Sequence, residues 1–288
     1  MQRPIFTPKR IITSGLVVLG MLFTLPVLAQ NELQYVGELG LSVGGAQYFG
    51  DLNPRAAINT VKPAFGVYYR KYLNDYVGVR AHLRYARLGY SDIYNDNEFQ
   101  RRRNLSFNTD VYELDLQGDF NFFRFEPGSY RYRFTPYFTG GAGLFYYNPF
   151  AYLNGKKYYL QPLRTEGQGT AEYPDRKPYS LVSYAFLLGG GFKYNVSRSV
   201  NIGVELLYRF AQTDYLDDVS KTYAGANLFP TKPNGENTVA YLLQDRSYAT
   251  GDPIGVAGRQ RGNSRDKDQF VSLEFTISIL FTTYKCKF

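Results

Sequence analysis

Between Gln269 and Thr282 the chain alternates in polarity. Val271, Leu273, Phe275, Ile277, Ile279 and Phe281 fall on one face, and Ser272, Glu274, Thr276, Ser278 and Thr282 on the other; Leu280 alone is apolar on the polar side. A period of two places successive side chains on opposite faces of a β-strand. Six large apolar side chains in about twelve residues make an apolar face roughly 35 Å long at strand rise. A soluble edge strand rarely needs so long a face. A strand with lipid on one side and a lumen on the other does.

Seven further stretches carry the same signal. Val36–Val43 is glycine-rich, with Leu39, Leu41 and Val43 on one face. In Ala64–Leu73, Phe65, Val67 and Tyr69 alternate against Gly66, Tyr68 and Arg70. Val77–Arg87 sets Val77, Val79, Ala81, Leu83 and Tyr85 against Arg80, His82 and Arg84. Val111–Phe123 sets Tyr112, Leu114, Leu116, Phe120 and Phe122 against Glu113, Asp115, Gln117, Asp119 and Asn121. Thr135–Tyr147, around a Gly140-Gly141-Ala142-Gly143 core, Leu181–Tyr194, where Gly189 to Gly191 permits curvature, and Val200–Phe210 complete the set. The connections alternate: short after the second, fourth and sixth strands, long after the first, third, fifth and seventh. Short turns at one end and long loops at the other, with an even strand number, predict an all-β, eight-stranded antiparallel transmembrane β-barrel with both termini in the periplasm. A soluble sandwich has no reason to segregate its loops in this way.

Composition agrees. The 288 residues include 28 Tyr, 22 Phe and no Trp, a content suited to aromatic girdles, and no 18-residue apolar run follows the N-terminal region. That region, residues 1–29, has a basic start (Arg3, Lys9, Arg10), an apolar run from Ile11 to Leu28 broken by Pro26, and Val27-Leu28-Ala29 before the expected cleavage point. It reads as a secretory signal, which leaves 30–288 as one exported barrel domain of the outer membrane. The net charge of +8 is scattered, so no nucleic-acid partner is inferred.

An eight-stranded lumen is filled by its own side chains. Arg80 and Arg84 on the third strand are expected to face Glu113, Asp115 and Asp119 on the fourth, with Glu205, Arg209 and Glu274 extending the set into a lumen charge network. His82 is the sole histidine, and no nucleophile–base motif accompanies it, so a lumen hydrogen-bonding role is expected rather than catalysis. No His/Cys cluster suggests a metal, and no cofactor motif is present. The run Thr213-Asp214-Tyr215-Leu216-Asp217-Asp218 offers oxygen ligands for Ca²⁺ but lacks EF-hand spacing, so ion pairs within the loop are its expected use. The loop 211–268 is too long to be idle: it begins acidic (Asp214, Asp217, Asp218) and ends basic (Arg259, Arg261, Arg265, Lys267). Either these charges pair across the loop base, or the loop forms a partner-binding lobe.

Three motifs resemble one family. Glu38-Leu39-Gly40 with Gly44-Gly45-Ala46-Gln47-Tyr48-Phe49-Gly50-Asp51-Leu52-Asn53 looks like the opening of PorG-type outer-membrane proteins. So do Thr213 to Ser220 and the Arg261-Gly262-Asn263-Ser264-Arg265-Asp266-Lys267-Asp268 segment before the last strand. The resemblance implies a non-enzymatic component of the type IX secretion system of Bacteroidota. Such a component associates with a periplasmic ring of a PorK-like lipoprotein and PorN, supports protein export and gliding motility, and could meet further secretion components through its loops. The alternative is a generic surface barrel whose loops bind an external ligand. The lone cysteine, Cys286, lies beyond the last strand between Lys285 and Lys287. It is either an incidental thiol or the site of an intermolecular disulfide, and the resemblance makes the ring lipoprotein the partner to expect.

Overall fold

The computed structural model of the chain describes residues 35–282 except Gly128, so the segment 1–29, expected to be a secretory signal, and Cys286 lie outside the described residues. The strands are β1 (Tyr35–Phe49), β2 (Lys62–Tyr72), β3 (Val77–Ser91), β4 (Ser106–Asn121), β5 (Phe134–Tyr146), β6 (Phe150–Leu153), β7 (Lys156–Tyr159), β8 (Val182–Ser197), β9 (Val200–Ala211) and β10 (Gln269–Thr282). Two short helices, α1 (Glu98–Arg103) and α2 (Val239–Gln244), lie in long loops. Eight strands close a ring in the order β1-β2-β3-β4-β5-β8-β9-β10, each antiparallel to its neighbours, with β10 returning to β1. The hairpin β6–β7 was not expected from sequence; it attaches to the loop end of β4 through Asn108 and Phe150.

The connections 73–76, 122–133 and 198–199 share one end and 50–61, 92–105, 147–181 and 212–268 the other; the contrast in length is weaker than expected, because 122–133 is as long as 50–61. Between the ends, the outward residues of the closed ring are apolar and exposed, Val43, Leu83, Leu116, Leu144 and Phe275 among them. A belt of this extent is far larger than a soluble surface carries. With every barrel strand paired on both sides, no backbone edge is left bare, which is the condition for strands to cross a bilayer. Aromatic rows mark both margins. On the loop side Phe65, Tyr85, Tyr112 and Tyr146 stand in register across β2 to β5, with centroid spacings of 4.7, 5.4 and 6.5 Å. On the turn side Phe123, Phe134 and Phe192 form a second row at 6.4 and 6.0 Å. The protein is an eight-stranded transmembrane β-barrel.

The predicted strands end too early on the loop side. β1 continues to Phe49 rather than Val43, β3 to Ser91 rather than Arg87, and β4 begins at Ser106 rather than Val111. The period of two persists there with its polarity inverted. On β4, Ser106, Asn108 and Asp110 point outward while Phe107 and Val111 are buried; on β3, Arg87 points outward while Leu88 and Tyr90 are buried. Strands leaving the bilayer exchange lipid for water outside and enclose a core within. That core gathers Ala46, Tyr48, Ala86, Leu88, Phe107, Phe145 and Phe270 with Leu216 and Val219 from the longest loop. At the turn end Tyr72, Phe125 and Leu280 form a small apolar cluster, which accounts for the apolar exception in the last strand.

Candidate functional site

Between these apolar layers lies the charged lumen. Five buried cations (Arg70, Arg80, Arg84, Lys193, Arg209) face six buried carboxylates (Glu38, Glu113, Asp115, Asp119, Glu205, Glu274). Arg84 is the hub: it reaches Glu113 at 3.0 Å, Asp115 at 2.8 Å and Glu274 at 2.8 Å. Arg209 meets Glu113 at 2.8 Å, and Arg80 meets Glu205 at 2.5 Å. Asp119 gathers Arg70 at 2.6 Å, Lys193 at 3.4 Å and Arg80 at 3.7 Å. Glu38 pairs with Arg70 and accepts from Ser278 Oγ at 3.1 Å. All eight residues predicted for the lumen network lie in it. Sequence reading missed Glu38, Arg70 and Lys193, although Arg70 shares the polar period of Tyr68 and Gly66.

His82 occupies the same layer. Its Nε2 stands 3.2 Å from Ser42 Oγ, and its Nδ1 stands 2.8 Å from Arg84 Nη2. The contact has the spacing of a nucleophile–base pair. The guanidinium reverses the roles: it can only donate, so Nδ1 accepts, the ring proton sits on Nε2, and the imidazole donates to the hydroxyl instead of taking its proton. A Cβ at Gly66 would collide with this ring, so β2 passes close to β3 there only with glycine.

The four long loops form a stitched cap over the mouth. Arg103, at the end of α1, grips Asp92 through Nε and Nη2, both at 2.7 Å, and donates to the Arg261 carbonyl at 2.5 Å. Arg261 donates to Glu166 at 3.1 Å and to the Asp218 carbonyl at 2.6 Å. Glu166 accepts from the amides of Ser220 and Lys221, both at 3.0 Å. Asp218 accepts from Thr165 Oγ1 at 2.5 Å and Tyr179 Oη at 2.7 Å. Of the charges expected to pair across the loop base, Asp218 and Arg261 approach at 3.7 Å. Asp217 and Asp268 instead turn to Tyr48, whose Oη lies 2.6 and 2.8 Å from them. Arg259 lies over the Phe99 ring at 5.1 Å, and Arg265 and Asp266 are exposed, Asp266 accepting from Asn263 at 2.6 Å. Burial is the main cause that pushes Asp214 up to about 7 and Asp218 and Asp51 up to about 6, and it holds Asp217 and Asp268 well above the carboxylate range, each reinforced by other nearby acids. Among the described residues no group of three acidic, His or Cys side chains has metal-binding geometry. Asp51, Asp92, Arg103 and Glu166 were not singled out as site residues from sequence, because their partners lie on other loops.

Beside the cap, a cleft of about 470 Å³ opens between the 50–56 segment, α1 and 260–269, lined in part by Phe49, Phe99, Tyr208, Gln100, Asn263 and Lys267.

The family described as "Domain of unknown function (DUF6089)" matches residues 16–227. No curated protein matches the chain. Among solved structures, the chain is similar to Neisserial surface protein A, at 11% identity and a TM-score of 0.41 over 85% of this chain and 97% of that one. It is also similar to Ail of Yersinia pestis in complex with the heparin analogue sucrose octasulfate, at 12% identity and a TM-score of 0.38 over 85% and 99%. The outer membrane protein OprG of Pseudomonas aeruginosa aligns at 9% identity and a TM-score of 0.38 over 87% and 98%. Likenesses at these values speak to neither ligand nor partner.

Proposed function

This chain belongs to the DUF6089 family, and we propose that it is a non-enzymatic, non-conducting outer-membrane barrel that works as a scaffold, making its contacts at its two ends. The observation that carries this reading is the filled lumen. An ionic layer lies between an apolar core under the loops and an apolar cluster at the turns. Nothing the size of a nutrient passes such a stack, and the one Ser–His contact among the described residues has the proton on the wrong nitrogen for a base. In this reading the long loops face the outside and the short turns face the periplasm.

The finer form of the proposal is a component of the type IX secretion machinery, anchoring a ring of PorK-like and PorN-like proteins and supporting export and gliding. Its support is the resemblance of the three motifs to PorG-type proteins. Cys286, outside the described residues, is proposed as the point at which the ring lipoprotein is held by a disulfide. A mild-detergent pull-down from envelopes, with mass spectrometry and non-reducing gels, tests both. Ring proteins should co-purify, and a heavier band should collapse on reduction and be absent from Cys286→Ser. Recovery of the barrel with no ring protein overturns the secretion assignment.

The second reading is a surface barrel whose loops bind an external ligand. The 470 Å³ cleft, with aromatic rings and amide side chains in its wall, favours it. It predicts a partner at the loop end that is lost when Phe99 or Tyr208 is changed to Ala.

A further inference from the structure

The turn end carries a feature that neither the scaffold role nor the lumen requires. Between β4 and β5 the sequence reads Phe122-Phe123-Arg124 and then Tyr130-Arg131-Tyr132-Arg133-Phe134. The fold brings the two runs together: Arg124, Arg131 and Arg133 share a cleft of about 520 Å³ with Phe122, Phe123 and Phe134. Arg124 is engaged with Asp75 at 2.9 Å and with Glu126 at 3.6 Å. Among the described residues no carboxylate stands within ion-pair distance of Arg131 or Arg133. Each guanidinium instead lies against a tyrosine ring, Arg133 at 4.4 Å from Tyr130 and Arg131 at 5.6 Å from Tyr132. Among the described residues, stacking leaves the donor edges of both unused, and Arg133 Nε is buried without a hydrogen-bond partner.

Position decides what could satisfy them. Phe123 and Phe134 belong to the aromatic row at the turn-side margin of the apolar belt, and Phe122, Phe123 and Phe134 are all exposed on the lipid-facing wall. Aromatic side chains settle at the level of lipid headgroups. The cleft therefore offers guanidinium donors and aromatic rings together at headgroup height. A guanidinium matches a phosphate through two parallel hydrogen bonds. Two such groups, with no carboxylate of the described residues in ion-pair distance, favour a headgroup of net negative charge over a zwitterion, whose own cation they would repel.

We propose that Arg131 and Arg133, with the flanking phenylalanines, form a site for the phosphate of an anionic phospholipid in the leaflet at the turn end of the barrel. A free phosphate ion would use the arginines alone; a lipid uses the arginines and the rings together.

The test places the folded full-length barrel in phosphatidylcholine vesicles with a trace of spin-labelled phosphatidylglycerol or spin-labelled phosphatidylcholine. The fraction of label immobilised by the protein is then compared. Roughly fivefold preference for phosphatidylglycerol is expected, the attraction of about one basic side chain at a membrane surface. In the double variant Arg131→Gln/Arg133→Gln the preference should fall to within about twofold, while Arg265→Gln, exposed in the loops at the other end, should leave it unchanged. Heat-dependent gel mobility reports whether the double variant has folded; if it has not, Arg131→Gln alone, at an exposed position, carries the comparison. Equal immobilisation of the two lipids by the unaltered protein overturns the proposal without any variant, as does a preference that survives the double variant. A detergent-phase titration with inorganic phosphate separates the sources. Saturable binding of phosphate alone, lost in the double variant, assigns the arginines to a soluble anion and overturns the lipid assignment.

Discussion

Asp217 and Asp268, fifty-one positions apart in sequence, meet at one hydroxyl: Tyr48 Oη lies 2.6 Å from the first carboxyl and 2.8 Å from the second. A phenol carries one proton, so both short contacts cannot be served by it if both acids are ionised. Burial holds both carboxyls well above the ordinary range, reinforced at Asp217 by Asp268 and Asp51 and at Asp268 by Asp214 and Asp51, so one of them keeps a proton that bridges the group. A Cβ at Gly50 would strike both Tyr48 Oη and Asp268, which is why the chain turns there on glycine.

The cap should therefore loosen as pH rises. A carboxyl whose folded pKa is raised contributes stability that is fully present below the ordinary range near 4, and that contribution is lost as pH rises through the folded value. For Asp218 and Asp51 that value is about 6, and for Asp214 about 7. Amide exchange at Leu216 and Val219, which donate to Asp268 and Asp217, reads the opening directly. After correction for intrinsic rates, protection should be at least about tenfold greater at pH 5 than at pH 8, the equivalent of one pKa unit on one group. Asp268→Asn, which cannot ionise, should flatten the dependence. Equal protection at the two pH values would show that the dyad does not hold a proton.

Topology gives a second prediction. An added side chain at Gly155 or Gly235 meets nothing within 4 Å, and both glycines have positive φ in exposed turns of the long loops. Epitope tags inserted there should be reached by antibody on intact cells. A tag at Asn74, in the short β2–β3 turn, should be reached only after the outer membrane is opened. Surface labelling at Asn74 would invert the proposed orientation.

How much of this was legible depended on whether the signal was local. The eighth strand was read to the residue, because six outward apolar side chains alternate without interruption from Val271 to Phe281. The upper parts of β1, β3 and β4 were missed because Leu88, Tyr90 and Phe107 continue the alternation on the opposite face, and a search for apolar-outward residues stops at the inversion. The lumen acids on β4 were visible as every second residue of one strand. Glu38 was hidden among glycines, and its partner Arg70 is remote in sequence. In the cap, Arg103 and Glu166 could not be identified at all, since a buried ion pair between two loops leaves no periodicity in either.

The lipid face should tolerate no charge. Phe275 and Ile277 are exposed on the apolar belt near its middle, whereas Ser278 points inward to Glu38. Phe275→Arg or Ile277→Arg should cost about 2–4 kcal/mol in barrel stability if the site is near mid-bilayer. Ser278→Thr keeps the hydroxyl and should be mild. Refolding into vesicles, followed by heat-dependent gel mobility, measures both. Equal tolerance of the two kinds of change would remove β10 from the lipid-facing wall.

The lumen supplies the last test, because its charges are costly only when separated. Replacing a buried ion pair as a whole can be neutral, but removing one partner leaves the other charge uncompensated, at about 3–5 kcal/mol. Arg84 serves Glu113, Asp115 and Glu274 together, so Arg84→Met should strand several carboxylates and lower the urea midpoint sharply. Arg84→Lys keeps the charge and should lose less, although a lysine cannot reproduce the planar fork. If Met is tolerated as well as Lys, the network is not held by charge. The same filled layer predicts that the unaltered protein in planar bilayers shows no steady conductance of porin size. A stable ohmic channel would mean that the ionic layer parts in the membrane, and the scaffold reading would give way to that of a pore.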